Sequence, residues 1–308
     1  MKALVMNVNG NNHKPKGVDL KPGKKRREVA VNIIKSYRPD LILAQEGKKI
    51  FYNVVCKECN DGVTKYDYVY NEETGILYNA VHWKKEMPKS DLVILYDALV
   101  HLNIISRESE LKARFHALIL KSKGPDGDFL CVTYHGRYTG KSEDEKLEIL
   151  KDFLVLLLNY LESKPDLPLI LGGDFNVEIN NATLQTLLQN GKTKQMFKSL
   201  SVSSTDTSTP NPSQYGSEDT KMRFGLGRFP LKPSNSDLYL VPYKPTGNRA
   251  NIYDHFIVST TVIVNEIQAV DVFQMIAQLF PDVLEEHYKV ILDHDSIFVT
   301  FKVDFRQM

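Results

Sequence analysis

The chain has 308 residues, 42% of them hydrophobic, with 39 basic and 38 acidic side chains for a net charge of +1. That is enough apolar material for a large core in one or two domains. The balanced charge excludes a global field that would demand a nucleic-acid partner, although a local basic rim can suffice. Three cysteines in so long a chain exclude a disulfide framework.

The first residues, MKALVMNVNG, begin a strand at once. They hold no long apolar stretch and no small-residue cleavage site, so a signal peptide is not expected. The longest apolar run, Phe153 to Leu158, is too short to span a bilayer. The expectation is a soluble intracellular protein, cytoplasmic or nuclear. Lys2 to Val8 reads as a strand ending in polar Asn7 and Asn9. Asn11 to Lys25, with two prolines and two glycines, reads as a loop. Lys24 to Arg27 is a basic cluster, read as the solvated first turn of a helix in preference to a nuclear-localisation or phosphate-binding cluster. Val29, Ile33, Ile34 and Tyr37 then share one helical face. After Pro39, Leu41 to Ala44 is a buried strand that delivers Gln45-Glu46-Gly47. Cys56 and Cys59 form a C-x-x-C without a second such pair or a nearby histidine pair, so a zinc ion would be short of ligands and the thiols are read as unremarkable.

Tyr66 to Tyr70 and Gly75 to Asn79 read as strands of a meander, continued by Leu92 to Leu95 and Leu102 to Ile105. Arg114 to Lys121 and Phe129 to Thr133 form a hairpin about Gly124-Pro125-Asp126-Gly127. The second strand leads into His135. Lys146 to Leu161 is a helix with a leucine face. LILGGDFN, Leu169 to Asn176, is an apolar strand running into two glycines and then Asp174 and Asn176. Its bare apolar run reads as a strand covered on both faces. The glycines would let the backbone turn sharply and approach a ligand. A carboxylate and an amide two residues apart can orient water or metal and donate to phosphate oxygen. Ala182 to Gln189 is a short helix. Ser199 to Pro233 is rich in Ser, Thr, Pro and Gly and mixes Lys221, Arg223 and Arg228 with Phe224 and Phe229. That mixture suits a nucleic-acid backbone and its bases, and equally a surface insertion. Ser236 to Val241, Tyr253 to Val258 and Ile297 to Val303 are strands, and Asp271 to Phe280 and Val283 to Tyr288 are helical or irregular. No repeat or linker divides the chain, so a single domain over 1–308 with a loop-rich insertion about 199–233 is expected.

Five strand ends thus carry polar residues of one chemical kind: Asn7/Asn9, Glu46, His135, Asp174/Asn176 and Asp293/His294, with Asp254 at the start of its strand. Any one of these is an ordinary strand exit. Their recurrence along the chain is what points to a shared rim.

NVNG, the QE of Gln45-Glu46, the T-x-H of Thr133 to His135, GGDFN, YDHFIVS and the late DH of Asp293-His294 come in the order found in the endonuclease/exonuclease/phosphatase superfamily, the deoxyribonuclease I-like proteins, which the chain resembles over nearly its whole length. The resemblance implies an α/β fold, a four-layered sandwich of two packed, mainly antiparallel β-sheets flanked by helices. It implies that Glu46 binds a catalytic divalent metal, Mg²⁺ with Mn²⁺ or Ca²⁺ as alternatives, and that Asp293 assists at a second position. Asp174 would orient or deprotonate the attacking water, and Asn7 and Asn176 would hold phosphate and carboxylates. His294, paired with Asp254, would act on the scissile phosphate. His135 would serve the leaving oxygen, with Glu73 as its orienting partner. Arg114 would contact phosphate. The chain departs from the family pattern at Asn9, often Asp, and at Leu292, where the terminal motif has serine.

The function these residues imply is a metal-dependent phosphodiester hydrolase, an endonuclease on DNA, or else RNA, with nucleic acid as partner and no obligate protein partner evident. A phosphoesterase of the same fold on a phosphoinositide, sphingomyelin or another small phosphodiester is the alternative. A catalytically inactive binding module is the third reading.

Overall fold

The computed structural model describes residues 1–8, 22–71, 73–86, 89–107, 110–124, 127–138, 140–164, 166–189, 238–241, 253–259, 261–292 and 294–303. The expected insertion about 199–233, Asn9 and Asp293 lie outside the described residues.

Twelve strands among the described residues form two six-stranded sheets. The first contains β1 (Lys2–Asn7), β2 (Leu41–Gln45), β3 (Tyr66–Tyr70), β4 (Thr74–Asn79), β11 (Val262–Val270) and β12 (Ser296–Val303), in the order β11-β12-β1-β2-β4-β3. The second contains β5 (Trp83–Glu86), β6 (Phe115–Ser122), β7 (Phe129–His135), β8 (Leu169–Asp174), β9 (Leu238–Leu240) and β10 (Asp254–Ser259), in the order β5-β6-β7-β8-β10-β9. Each sheet has one parallel pair, β1 with β2 and β7 with β8. The other pairings are antiparallel. Parallel neighbours need a long crossover. Helix α1 (Pro22–Tyr37) supplies the first, and α5 (Glu143–Glu162) supplies the second. Pro22 suits the first turn of α1, where a missing N–H costs nothing. The start of α5 is fixed by a capping box, Ser142 with Glu145, and three acidic residues in the first turn.

Strand periodicity sorts the core into layers. On β1, Leu4 and Met6 face outward to α1, α2 (Lys49–Cys59) and α7 (Val272–Leu279), whereas Ala3 and Val5 face the other sheet. On β8, Leu169 and Leu171 meet α3 (Lys89–His101), α5 and α6 (Asn181–Gln189), and Ile170 points inward. The result is the helix–sheet–sheet–helix sandwich that the resemblance implied. Trp83, the one tryptophan, is 4% exposed in the inter-sheet layer, edge-on to Phe129 at 4.9 Å.

Two expectations need correction. Leu92 to Leu95 is part of α3, and Leu102 to Ile105 lies in the turn and bend that follow it, not in strands. A short apolar run does not distinguish buried strand from helix. Here Leu92, Leu95 and Leu99 are buried at helical spacing while Ile94 is 44% exposed. The basic cluster does lie in the first turns of α1, but Arg26 is buried, with Nε donating to Ile291 O at 2.9 Å. The cysteines lie on α2, which had no strong sequence signal. Cys56 Sγ faces Tyr66 O at 3.4 Å and Cys59 Sγ faces Val31 O at 4.0 Å. Burial pushes both thiols up to about 11. They are therefore neutral thiols with separate backbone partners.

Candidate active site

Sheet register alone collects the polar strand ends at one rim. Asn7 is paired with Gln45, and Gln45 with Thr74, which follows Glu73. In the other sheet His135 is paired with Asp174, and Asp174 with Asp254. Beyond the strands, Val8 N donates to Gln45 O, Glu46 N to Glu73 O, Gly136 N to Asp174 O and Phe175 N to Tyr253 O, at 2.7–3.0 Å. These bonds fix the exits that carry the side chains.

Four side-chain hydrogen bonds then cross between the sheets. Asn7 Nδ2 donates to Asp174 Oδ2 at 2.9 Å. Gln45 Nε2 donates to Thr133 Oγ1 at 2.8 Å. His135 Nδ1 lies 2.8 Å from Glu73 Oε2, and His294 Nδ1 lies 2.7 Å from Asp254 Oδ2. A carboxylate can only accept, so Nδ1 of each imidazole carries the proton and Nε2 is left to act. Both Nε2 atoms point at one oxygen. His135 Nε2 is 4.0 Å and His294 Nε2 is 3.7 Å from Asp174 Oδ2. The other Asp174 oxygen accepts from Asn176 N at 2.9 Å. Asp174 is thus buried, held on both oxygens and flanked by two oriented imidazoles.

Glu46 completes this face, its Oε1 3.8 Å from His135 Nε2. Its φ is +55°, and that of Asn176 is +52°. Asparagine tolerates this left-handed conformation, but glutamate does so at a cost of about 1–2 kcal/mol. Strain of this kind gathers at functional sites. Asn176 Nδ2 donates to Gly136 O at 3.0 Å, bracing the neighbouring exit with one of its two amide hydrogens. Arg114, the last residue of α4 (Leu111–Arg114), has Nη1 3.9 Å from Glu73 Oε2. The His135 hydrogen bond, with Arg114 adding to it, holds the Glu73 carboxyl below its usual range.

The two glycines of β8 serve packing rather than a turn. A Cβ on Gly172 would stand 2.6 Å from Val5 Cγ2 and 2.8 Å from Leu43 Cδ1, both on the facing sheet. A Cβ on Gly173 would collide with the Tyr134 carbonyl on β7. The glycines therefore let the sheets and strands close around Asp174, and the approach they permit is between strands rather than to a ligand.

Sequence reasoning assigned no role to Gln45, Thr133 or Asn71. The first two lay within the QE and T-x-H motifs, where their spacing was the only signal. Asn71 Oδ1 accepts from Glu73 N at 2.9 Å and Thr74 N at 2.7 Å, so it sets the turn that presents Glu73. Its signal was a common one, an Asx residue before a turn.

The donor set fits a hard divalent cation. Carboxylate oxygens of Glu46 and Asp174 both lie within 4.0 Å of His135 Nε2, and oxygen ligands suit Mg²⁺ or Mn²⁺. Among the described residues, Asp174, Asp254 and His294 also offer ligand atoms within 4.8 Å of one another. The 2.7 Å hydrogen bond between His294 Nδ1 and Asp254 Oδ2 leaves Nε2, 3.7 Å from Asp174 Oδ2, as the ring's ligand atom in that trio.

No family model and no curated protein matches the sequence. Solved structures do match by shape. An endonuclease/exonuclease/phosphatase family protein from Bacteroides thetaiotaomicron is 12% identical, over 99% of this chain and 98% of that one, with a TM-score of 0.56. ANGEL2, a 2',3'-cyclic phosphatase in complex with adenosine-2',3'-vanadate, is 14% identical over 98% and 95%, at 0.55. D. rerio TDP2, complexed with a single-strand DNA product, is 13% identical over 98% and 99%, at 0.52. Likeness at such identity speaks to the fold.

Proposed function

We propose that this chain, which has the deoxyribonuclease I-like fold of the endonuclease/exonuclease/phosphatase superfamily, is a divalent-metal-dependent phosphoester hydrolase that cuts nucleic acid, DNA first, at internal phosphodiesters. The observation that carries this reading is the pair of carboxylate-held imidazoles, each presenting Nε2 to the same Asp174 oxygen. A phosphodiester of unactivated alcohols needs two proton transfers, one from the attacking water and one to the departing alkoxide. Asp174, beside His294, orients or takes up the water proton. His135, held by Glu73, protonates the leaving oxygen. Asp254 keeps His294 in its working tautomer. Asn7 fixes Asp174, and Asn176 and Arg114 offer the phosphate N–H donors. Glu46 would hold Mg²⁺, and Asp293, which lies outside the described residues, would assist at a second metal position. The bound ion would offset charge on the phosphate oxygens and acidify water.

The test is hydrolysis by the full chain of plasmid, single-stranded DNA and RNA, with Mg²⁺ or EDTA, beside Asp174→Asn and His135→Ala. Mg²⁺-dependent cleavage lost in both variants is the expected result. Intact polymers in every arm would sink the nuclease reading. The adenosine-2',3'-vanadate complex of the similar ANGEL2 structure favours a small phosphoester as second reading. Release of product from a cyclic or small phosphodiester alone would select it.

A further inference from the structure

Beside Glu46 lies a cavity of about 200 Å³ lined by Val8, Gly23, Arg26, Arg27, Glu46, Lys48, Ile50 and Phe51. It opens between the start of α1 and the start of α2, the two helices packed on the outer face of the first sheet. Neither helix has an acidic residue in its first turn. Arg27 and Lys48 form no ion pair among the described residues. Arg26, Arg27 and Lys48 line the cavity with one carboxylate, Glu46, whose Oε1 stands 3.8 Å from His135 Nε2, so the lining carries an excess of positive charge that suits an anion from outside. The wall is stiff, because buried Arg26 ties α1 to Ile291 O and Phe51 is buried in the core. Val8 and Phe51, both buried, give the cavity an apolar backing.

We propose that this cavity is the seat for a second phosphate group of the substrate, next to the one being hydrolysed. The proposal rests on the phosphoester reading above and names what kind of phosphoester is preferred. Glu46 is shared between cavity and rim, so a group held by Arg27 and Lys48 lies directly beside the reacting one. The volume suits a phosphate with part of a sugar and is below that of a typical pocket for a whole small ligand, about 300 Å³ or more. The aromatic and aliphatic backing suits the sugar face. The second phosphate could be the next backbone phosphate of a nucleic acid or the second phosphate of a small sugar bisphosphate. The chemistry recognised is the same.

The full chain and the double variant Arg27→Gln/Lys48→Gln are compared in Mg²⁺ on matched pairs. One pair is a thymidine dinucleotide with and without a terminal phosphate, and the other is glucose 1,6-bisphosphate against glucose 6-phosphate. For the wild type, kcat/KM favours the substrate with the extra phosphate, through KM. In the double variant that preference falls about tenfold, as expected for loss of charge-assisted hydrogen bonds to one anion. A drop in the dinucleotide pair identifies a nucleic-acid backbone, and a drop in the sugar pair identifies a small bisphosphate. An unchanged preference overturns the seat. If no substrate is turned over, the hydrolase reading fails and the seat is judged by equilibrium binding of a fluorescein-labelled thymidine tetranucleotide. Saturable binding at least tenfold weaker in the variant supports it. Equal or undetectable binding overturns it.

Discussion

At the scale of single residues, Asp174 is the most constrained group at the rim. Both its oxygens accept, from Asn7 and from Asn176 N. Asp174→Asn keeps the shape and removes the charge, so turnover should fall about 10³-fold or more while the urea unfolding free energy changes by no more than about 1–2 kcal/mol. Glu46 is strained by its positive φ. Glu46→Gly is expected to raise the unfolding free energy by up to about 1 kcal/mol while weakening Mg²⁺ dependence at least tenfold, read by urea titration and by a metal titration of activity. Glu73 gives a pH signature. Its carboxyl is depressed in the folded protein, chiefly by the His135 hydrogen bond. The stability this gives is therefore complete above the ordinary carboxylate range and is lost as pH falls through the lower, folded value. Unfolding midpoints measured from pH 7 down to the acid limit should fall less steeply in Glu73→Gln than in the wild type.

At the scale of elements, β8 shows what glycine does for a site. Gly172→Ala must push Val5 and Leu43 apart, for a loss of about 1–3 kcal/mol in chemical denaturation. Gly173→Ala meets backbone rather than side chain and should cost more or prevent folding. The same strand shows how far the sequence could be read. Its apolar run, its burial on both faces and the Asp-x-Asn at its end were all legible, and the six motifs in their order led to the αββα sandwich and to the rim. What the motifs hid was where the glycines act, because closeness to a facing sheet is a property of packing and leaves no mark on neighbouring residues. Leu92 to Leu95 departs from expectation for a related reason: four consecutive apolar residues have no period, so only the partners of α3 decide its form. Gln45 and Thr133 were legible as letters in motifs, but their bond joins different sheets and could not be foreseen from either strand alone.

At the scale of the molecule, the site is a seam. Each of the four rim hydrogen bonds takes one partner from each sheet, so no single sheet carries a complete rim pair. Trp83, buried between those sheets, is the chain's one indole. Its emission is therefore an optical gauge of the gap on which the proposed catalysis depends. In a denaturant series the red shift of that emission and the loss of turnover should share one midpoint. Activity that disappears before the indole is wetted would mean that the rim can open while the sandwich stays shut.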